Sequence, residues 1–189
     1  MIKSHKIFIL LAFLGLSISA NAQKGKFEAE LTANLSMETN LGTYGIFGSA
    51  GMNYYFIDRI GLNTNIGGFQ SFIKWKHENT SLFKWDVDVF FDVLKTKKDH
   101  RLRLSLGASW YRGATSWVST SAEWPDGRIE ILEERVDFHN GIGANAKIQY
   151  RFPIAEKWHL GINGECYYLP HFSYYGIVPA LGVSVGYRF

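Results

Sequence analysis

Apolar and polar residues alternate along most of this chain, and this alternation limits the fold more than any other feature of the sequence. In FKWDVDVFFDV, residues 83–93, apolar residues take every second position and charged residues fill most of the positions between them. RLRLSLGASWY, residues 101–111, repeats the pattern. Successive side chains of a β-strand point to opposite faces of the sheet, so each segment predicts a strand with one apolar face and one polar face.

The same period predicts an all-β chain of eight strands in a single domain. The links after the second, fourth and sixth strands are short, whereas those after the first, third, fifth and seventh tend to be longer. The longest link is ATSWVSTSAEWPDGRIEILEE, residues 114–134. The predicted strands cover residues 25–37, 43–56, 60–73, 81–94, 101–113, 134–152, 157–168 and 176–189.

The first 22 residues have the layout of a secretory signal peptide. Lys3 and Lys6 precede an apolar run, and the small residues Ala20 and Ala22 provide a cleavage site. The apolar run of about ten residues is too short to span a bilayer as a helix. We therefore predict a cleaved leader over residues 1–22 and a mature domain over residues 23–189.

Composition excludes several classes of function. With the leader removed, two of the 20 Lys and Arg residues are lost, and the remaining 18 nearly balance 17 Asp and Glu residues. A nucleic-acid-binding protein normally carries a basic stripe, so we predict no nucleic-acid partner. Cys166 is the only cysteine, and stability must therefore come from hydrogen bonds and burial rather than disulfides. No P-loop, CxxC, HExxH or dinucleotide motif occurs, so we predict no cofactor, no metal site and no enzymatic activity.

Alternation alone fits two opposite folds. In a soluble calyx the apolar face points inward, whereas in a membrane barrel it points toward lipid. Alternating short and long connections, and a polar face of small residues and charges of both signs, favour the membrane barrel. Aromatic residues at both ends of the apolar face also favour it, because such rings occupy membrane interfaces. They are Tyr54, Phe56, Phe91, Tyr150, Trp158, Tyr187 and Phe189 near the short turns, and Trp85, Trp110 and Tyr168 toward the loops.

A sheet can cross hydrocarbon only if it closes on itself, because every backbone amide then finds a partner within the protein. The predicted fold is therefore an eight-stranded antiparallel up-and-down transmembrane β-barrel. An even number of strands brings both mature termini to one side, which we expect to be the periplasmic side of the outer membrane. We predict a monomer that is integral to the outer membrane.

The final segment, ALGVSVGYRF, resembles the C-terminal assembly signal of outer-membrane β-barrel proteins. The matching residues are Gly182, Val185, Tyr187 and Phe189. The mature chain as a whole resembles the small eight-stranded outer-membrane barrels of the OmpA, OmpX and OmpW types. The resemblance implies outer-membrane lipid and the barrel-assembly machinery as partners. It implies no specific activity, because function varies widely within this fold.

The polar face supplies a predicted interior network of charged residues. Because eight strands enclose little space, a structural plug of ion pairs is favoured over a gate or narrow ion path in which the pairs exchange partners. The predicted network comprises Glu28, Glu30, Lys84, Asp86, Asp88, Asp92, Arg101, Arg103, Lys147, Arg151, His159, Glu165 and Arg188.

Four groups within this network are expected to meet across neighbouring strands. The expected groups are Asp88 and Asp92 with Arg101 and Arg103, Lys147 with Glu165, Arg151 with His159, and Glu28 and Glu30 with Arg188.

Two further segments suggest chemistry. His171 and Ser173 resemble the His-x-Ser pair of barrel-shaped lipid A deacylases, but no Asp or Glu follows Glu165, so the downstream acid of that family has no match. We interpret them as residues of an interfacial loop.

The link between the fifth and sixth strands has two interpretations. It is either an exposed binding surface for a partner or a divalent cation, or a solvated extension of the hairpin, which we favour. The candidate surface residues are Trp117, Trp124, Asp126 and Glu130.

The leading functional hypothesis is an outer-membrane barrel with a structural or surface-interaction role and an interior closed by charge pairs. The alternatives are a small porin or channel for small solutes and a lipid A-modifying hydrolase. The sequence identifies no surface ligand.

Overall fold

The computed structural model describes residues 27–38, 43–72, 79–123, 129–170, 172 and 176–189. The predicted leader, residues 1–22, lies outside these ranges. Eight strands follow one another within the described part of the chain. They are β1 (Phe27–Glu38), β2 (Thr43–Ile57), β3 (Ile60–Ser71), β4 (Asn79–Lys95), β5 (Arg101–Glu123), β6 (Ile129–Pro153), β7 (Trp158–Tyr168) and β8 (Ile177–Arg188).

The sheet closes into a barrel, as predicted. Each strand pairs antiparallel with the next, and β1 pairs with β8. This closing seam runs from Glu28 opposite Arg188 to Ser36 opposite Ala180. Closure removes the free sheet edges that would leave backbone amides unpaired in hydrocarbon. The described residues include no helix that is long and apolar enough to cross a membrane.

The apolar face of the sheet is on the outside. Leu106 and Ile142 point outward and are 70% and 71% exposed, whereas the inward-facing Lys84 and Asp86 are 1% and 0% exposed. A soluble calyx would have the opposite arrangement. The outer surface therefore suits hydrocarbon, and charged groups fill part of the interior.

Strands β5 and β6 are longer than the alternation predicts. The predicted ends were residues 113 and 134, whereas the paired ribbon extends to Glu123 opposite Ile129. The segment carries polar residues at successive positions, such as Ser119 and Thr120, so the apolar period is lost although the backbone pairing continues.

The barrel has two distinct ends. The turn end carries the β2–β3, β4–β5 and β6–β7 connections together with Phe27 and Phe189, and the loop end carries the other connections. Outward rings surround the turn end: the ring centroids of Phe27 and Tyr54 are 4.8 Å apart, and those of Trp158 and Tyr187 are 4.9 Å apart. Toward the loop end, Trp85, Trp110 and Tyr168 are exposed. The rings therefore form the two predicted aromatic bands.

Candidate functional site

The interior of the turn half is organised around the hydroxyl group of Tyr55. Arg101 Nη1 donates to it over 2.8 Å, Arg151 Nη1 over 3.1 Å, and Arg103 Nη2 also donates. Tyr55 lies on β2 and Arg101 on β5, which are not neighbouring strands. The contacts therefore cross the lumen rather than follow its wall.

Two buried carboxylates balance the guanidinium groups around Tyr55. Asp92 accepts hydrogen bonds from Arg101 Nη1 and Arg103 Nε, each over 2.9 Å. Glu28, which is fully buried, accepts from Arg151 Nη2 over 2.6 Å and from Arg188 Nε over 2.9 Å. Buried charges require such partners, because an unpaired ion loses its hydration without compensation.

His159 completes this cluster as a hydrogen-bond acceptor. Arg151 Nη2 donates to a His159 ring nitrogen, and because arginine has no acceptor, that nitrogen must carry a lone pair. The ring lies over Gly186 on β8, where any Cβ atom would collide with it. Glycine at this position therefore allows the imidazole to pack against the strand backbone.

Asp99 connects the β4–β5 turn to the last strand. Its backbone has a φ of 60°, in the left-handed region that Asp tolerates better than most residues. The carboxylate accepts from Arg101 Nε over 2.9 Å and from Arg188 Nη1 over 2.8 Å. Burial raises the pKa of Asp99, whereas the hydrogen bond from Arg188 and the charge of Arg101 lower it. The lowering is the larger effect, so the pKa of Asp99 lies below its ordinary value.

A second charged cluster lies near the middle of the barrel. Lys147 Nζ donates to Asp88 over 2.7 Å and to Asp86 over 3.1 Å. Lys84 donates to Asp86 and, over 2.6 Å, to the hydroxyl of Tyr167. Lys84 lies on β4 and Tyr167 on β7, so this contact also crosses the lumen.

A group of amides lines the barrel wall beside the two charged clusters. Asn65 donates to Asn63, Asn63 donates to Asn53 over 2.8 Å, and Asn53 donates to Glu30 over 3.1 Å. Gln149 donates to Glu30 from the opposite wall. A cavity of about 40 Å³ lies among these side chains, which is enough for about two or three water molecules.

Apolar side chains fill the loop half of the interior. The rings of Phe47 and Tyr167 stack with centroids 5.2 Å apart. Leu169 and Phe172 come from the β7–β8 connection and are buried in the same cluster. The complete cluster comprises Phe47, Phe69, Leu82, Tyr111, Tyr167, Leu169, Phe172 and Val178.

The structure places all thirteen residues of the predicted network on the inner face. Asp92 contacts Arg101 and Arg103 as expected, because Arg103 is its direct cross-strand partner. Asp88 does not join them, because it lies opposite Gly107 and bonds to Lys147 instead.

The other expected groups form in part. Arg151 contacts His159, and Glu28 contacts Arg188. Glu30 instead accepts from amides. Lys147 lies directly opposite Glu165, which accepts a hydrogen bond from Tyr167.

Residues of the C-terminal segment occupy the closing seam. Val185 lies opposite Leu31 and Tyr187 opposite Ala29 on β1. Gly182 lies opposite Asn34. The Phe189 amide donates a hydrogen bond to the Phe27 carbonyl over 3.1 Å, which joins the end of β8 to the start of β1.

The other predicted candidates lie outside the described part of the chain. These are His171, Ser173, Trp124 and Asp126, together with the side chains of Trp117 and Glu130. Among the described residues, no group of three or more His, Cys, Asp or Glu side chains could hold a metal ion.

Comparison with solved structures identifies the architecture. Neisserial surface protein A is 13% identical, with a TM-score of 0.61 over 86% of this chain and 96% of that chain. The fold is that of the small outer-membrane β-barrels. Ail, the attachment invasion locus protein of Yersinia pestis, is 11% identical, with a TM-score of 0.55 over 88% of this chain and 100% of its own.

OprG, an outer membrane protein of Pseudomonas aeruginosa, is 8% identical, with a TM-score of 0.54 over 89% of this chain and 98% of that chain. No family model matches the chain, and no curated protein sequence matches it. At these identities the likeness establishes the fold alone.

Proposed function

We propose that this chain is a monomeric, integral outer-membrane protein whose closed barrel has a structural or surface-interaction role and carries out no catalysis. The apolar outer face, the two aromatic bands and the likeness to outer-membrane barrels support this location. In the proposed orientation the turn end, with both mature termini, faces the periplasm. The loop end faces the outside of the cell.

The observation that carries the closed-barrel proposal is contact across the lumen at separate levels. Tyr55 meets Arg101 in the turn half, Lys84 meets Tyr167 near the middle, and Phe47 stacks on Tyr167 toward the loop end. Ions would have to pass both a layer of paired charges and a layer of packed rings. An eight-stranded barrel has little space around such side chains.

Conductance across a planar lipid bilayer tests this closure. The purified full-length barrel is expected to give no single-channel steps under conditions in which a reference porin gives them. Steady, reproducible steps from the wild-type chain would contradict closure and would favour the alternative of a small channel.

A surface-interaction role is favoured by the ribbon formed by the long ends of β5 and β6. Backbone pairing continues from Trp117 opposite Arg135 to Glu123 opposite Ile129, beyond the ends of the neighbouring strands. Replacing residues 118–134 with a short turn should leave folding intact, as measured by heat-modifiable migration on a gel. We expect envelope components that co-purify with the full chain to be lost from this variant. An identical set of co-purifying components would contradict a binding role for the ribbon.

The absence of catalysis is tested separately. Overexpression in a Gram-negative host should leave the mass spectrum of lipid A unchanged. A lipid A species that has lost an acyl chain would instead support the hydrolase alternative.

Recognition by the barrel-assembly machinery is the remaining part of the proposal. The rings of Tyr187 and Phe189 lie 5.3 Å apart at the turn end of β8, where they can serve as a recognition feature. Deleting Phe189 should reduce the amount of folded barrel in cells more than it reduces spontaneous refolding into detergent. Equal losses in both assays would indicate a purely structural role for Phe189.

A further inference from the structure

Arg112 differs from every other outward-facing strand residue that the structure describes. The outward positions of the barrel strands are aliphatic, aromatic, small or uncharged polar residues, and Arg112 is the only charged one among those described. It is exposed, and it forms no salt bridge to any side chain that the structure describes. Within the described part of the chain, this cation on the outer surface of the barrel has no acidic partner.

The position of Arg112 relative to the loop-end aromatic band indicates its depth in the membrane. Trp110 lies two residues away on the same strand and pairs with Trp85 on β4. Arg112 is therefore about 6.6 Å further along β5 toward the loop end. Interfacial tryptophans mark the boundary between hydrocarbon and headgroups, so the guanidinium lies at the headgroup level. An arginine is tolerated there far better than at the bilayer midplane.

The surroundings of Arg112 are partly apolar and partly polar. It lies opposite Phe83 on β4 and opposite Asn140 on β6. Phe83 packs edge-on against Trp110, with centroids 6.1 Å apart, and Phe138 is 80% exposed on the neighbouring strand. Phe83, Arg112 and Phe138 border a shallow groove of about 410 Å³ on the outer surface. The outward-facing residues along it are Gln70, Ser81, Phe83, Arg112, Ala114 and Phe138.

We propose that this groove binds the phosphate group of an acylated outer-leaflet lipid, the chemical class to which lipid A belongs. The planar guanidinium of Arg112 can donate two parallel hydrogen bonds to phosphate oxygens. Phe83 and Phe138 provide apolar surface for the first segments of the acyl chains, and Gln70 and Ser81 provide hydrogen-bonding groups. The assignment to the outer leaflet depends on the orientation given under Proposed function.

Native mass spectrometry of the full-length barrel in detergent tests the inference. The probes are lipid A, which carries phosphate, and an uncharged diacyl glycolipid of similar chain length. The wild-type protein should retain lipid A in preference to the glycolipid. R112Q should weaken lipid A binding by about tenfold, because a charge-assisted contact is lost.

Two variants and a competitor make the result specific. R112K should retain part of the affinity, because the charge remains but the paired hydrogen bonds do not. K97Q removes an exposed charge in the β4–β5 turn and should bind like the wild type. Inorganic phosphate in molar excess should not displace the lipid; displacement would identify a site for free phosphate and overturn the proposal.

Unchanged binding by R112Q, or an equal loss in K97Q, would also overturn it. Lipid A binding in detergent depends neither on which end of the barrel faces the periplasm nor on whether the lumen conducts ions. Failure of the lipid site is therefore distinguishable from failure of the proposed orientation or closure.

Discussion

The two halves of the barrel interior are filled by different chemistry. In the turn half, Glu28 and Asp92 are surrounded by arginines, and every contact depends on a specific donor and acceptor. In the loop half, Phe47 and Tyr167 stack among aliphatic and aromatic neighbours. Lys84 lies where the two halves meet and contacts both. Its Nζ donates to Asp86 and lies 4.9 Å from the ring centroid of Phe47.

This difference determines how each half responds to change. Removing one member of a buried ion pair leaves the other charged and without water, so the cost exceeds that of the lost contact. Removing an apolar side chain lowers the free energy of unfolding in two ways: its transfer free energy is lost and a cavity is left behind. Neither contribution depends on pH. The turn half should therefore be sensitive to charge and acid, and the loop half to volume.

The largest effect is expected for Glu28→Gln in the turn half. The substitution keeps the shape but removes the carboxylate that pairs with both Arg151 and Arg188, so that Arg188 keeps only Asp99. It should lower the free energy of unfolding by about 3–5 kcal/mol. Urea unfolding in lipid vesicles, followed by tryptophan fluorescence, measures the change. A loss below about 1 kcal/mol would show that this cluster is solvated rather than dry.

Leu169→Ala tests the loop half. The side chain is fully buried in the apolar cluster, so we expect a loss of about 2–3 kcal/mol. The loss should be the same at low and high salt in the same vesicle assay. A loss that shrinks as salt increases would contradict a purely apolar packing role.

An intermediate effect is expected for Asp99→Asn at the turn end. Asparagine also tolerates the positive φ, so the substitution removes the charge without straining the turn. Because the folded pKa lies below the ordinary value of 3.8, the ionised carboxylate stabilises the fold fully above that value. This stabilisation is lost as the pH falls through the lower folded pKa.

The wild type should accordingly be more stable than the Asp99→Asn variant by about 1 kcal/mol at neutral pH. The difference should disappear in acid. A difference that stays constant from neutral pH to below the pKa would argue against ion pairing by Asp99.

The smallest effect is expected for Asp58→Asn. The hydrogen bond from Lys95 lowers the pKa of Asp58, but Asp58 is 73% exposed, so water screens the pair. We expect a change of at most about 0.5 kcal/mol in the free energy of unfolding, near the limit of measurement. A loss as large as that of Glu28→Gln would contradict the distinction between buried and exposed ion pairs in this barrel.

The sequence predicted much of the fold because one face of each strand meets lipid and the other does not. The period breaks down where both faces are polar, as near Ser119, so the predicted strand ends at residues 113 and 134 fall short. The paired ribbon agrees with the favoured interpretation of this link as an extension of the hairpin. Phe47 and Tyr55 were also missed as interior residues, although they share a parity with Asn53. Phe47 and Tyr55 are each an even number of positions from Asn53, so they lie on the same face of β2 as this polar residue. This spacing predicts that both aromatic side chains point into the barrel.

The pairing partners were harder to predict than the faces. Asp88 and Asp92 have the same parity, but only the register shows that Arg103 lies opposite Asp92 and Gly107 opposite Asp88. Long side chains also reach across the lumen, as Arg151 reaches Glu28, and such contacts depend on barrel geometry that strand periodicity does not contain.

The closing contact between Glu28 and Arg188 joins residues that are 160 positions apart in the chain. Contacts of such high sequence separation form slowly, because a long segment of chain must be ordered before they stabilise it. Until β8 arrives, the backbone of β1 has an unpaired side that can bind other strands. The time that the chain spends before closure is therefore its period of greatest risk of aggregation.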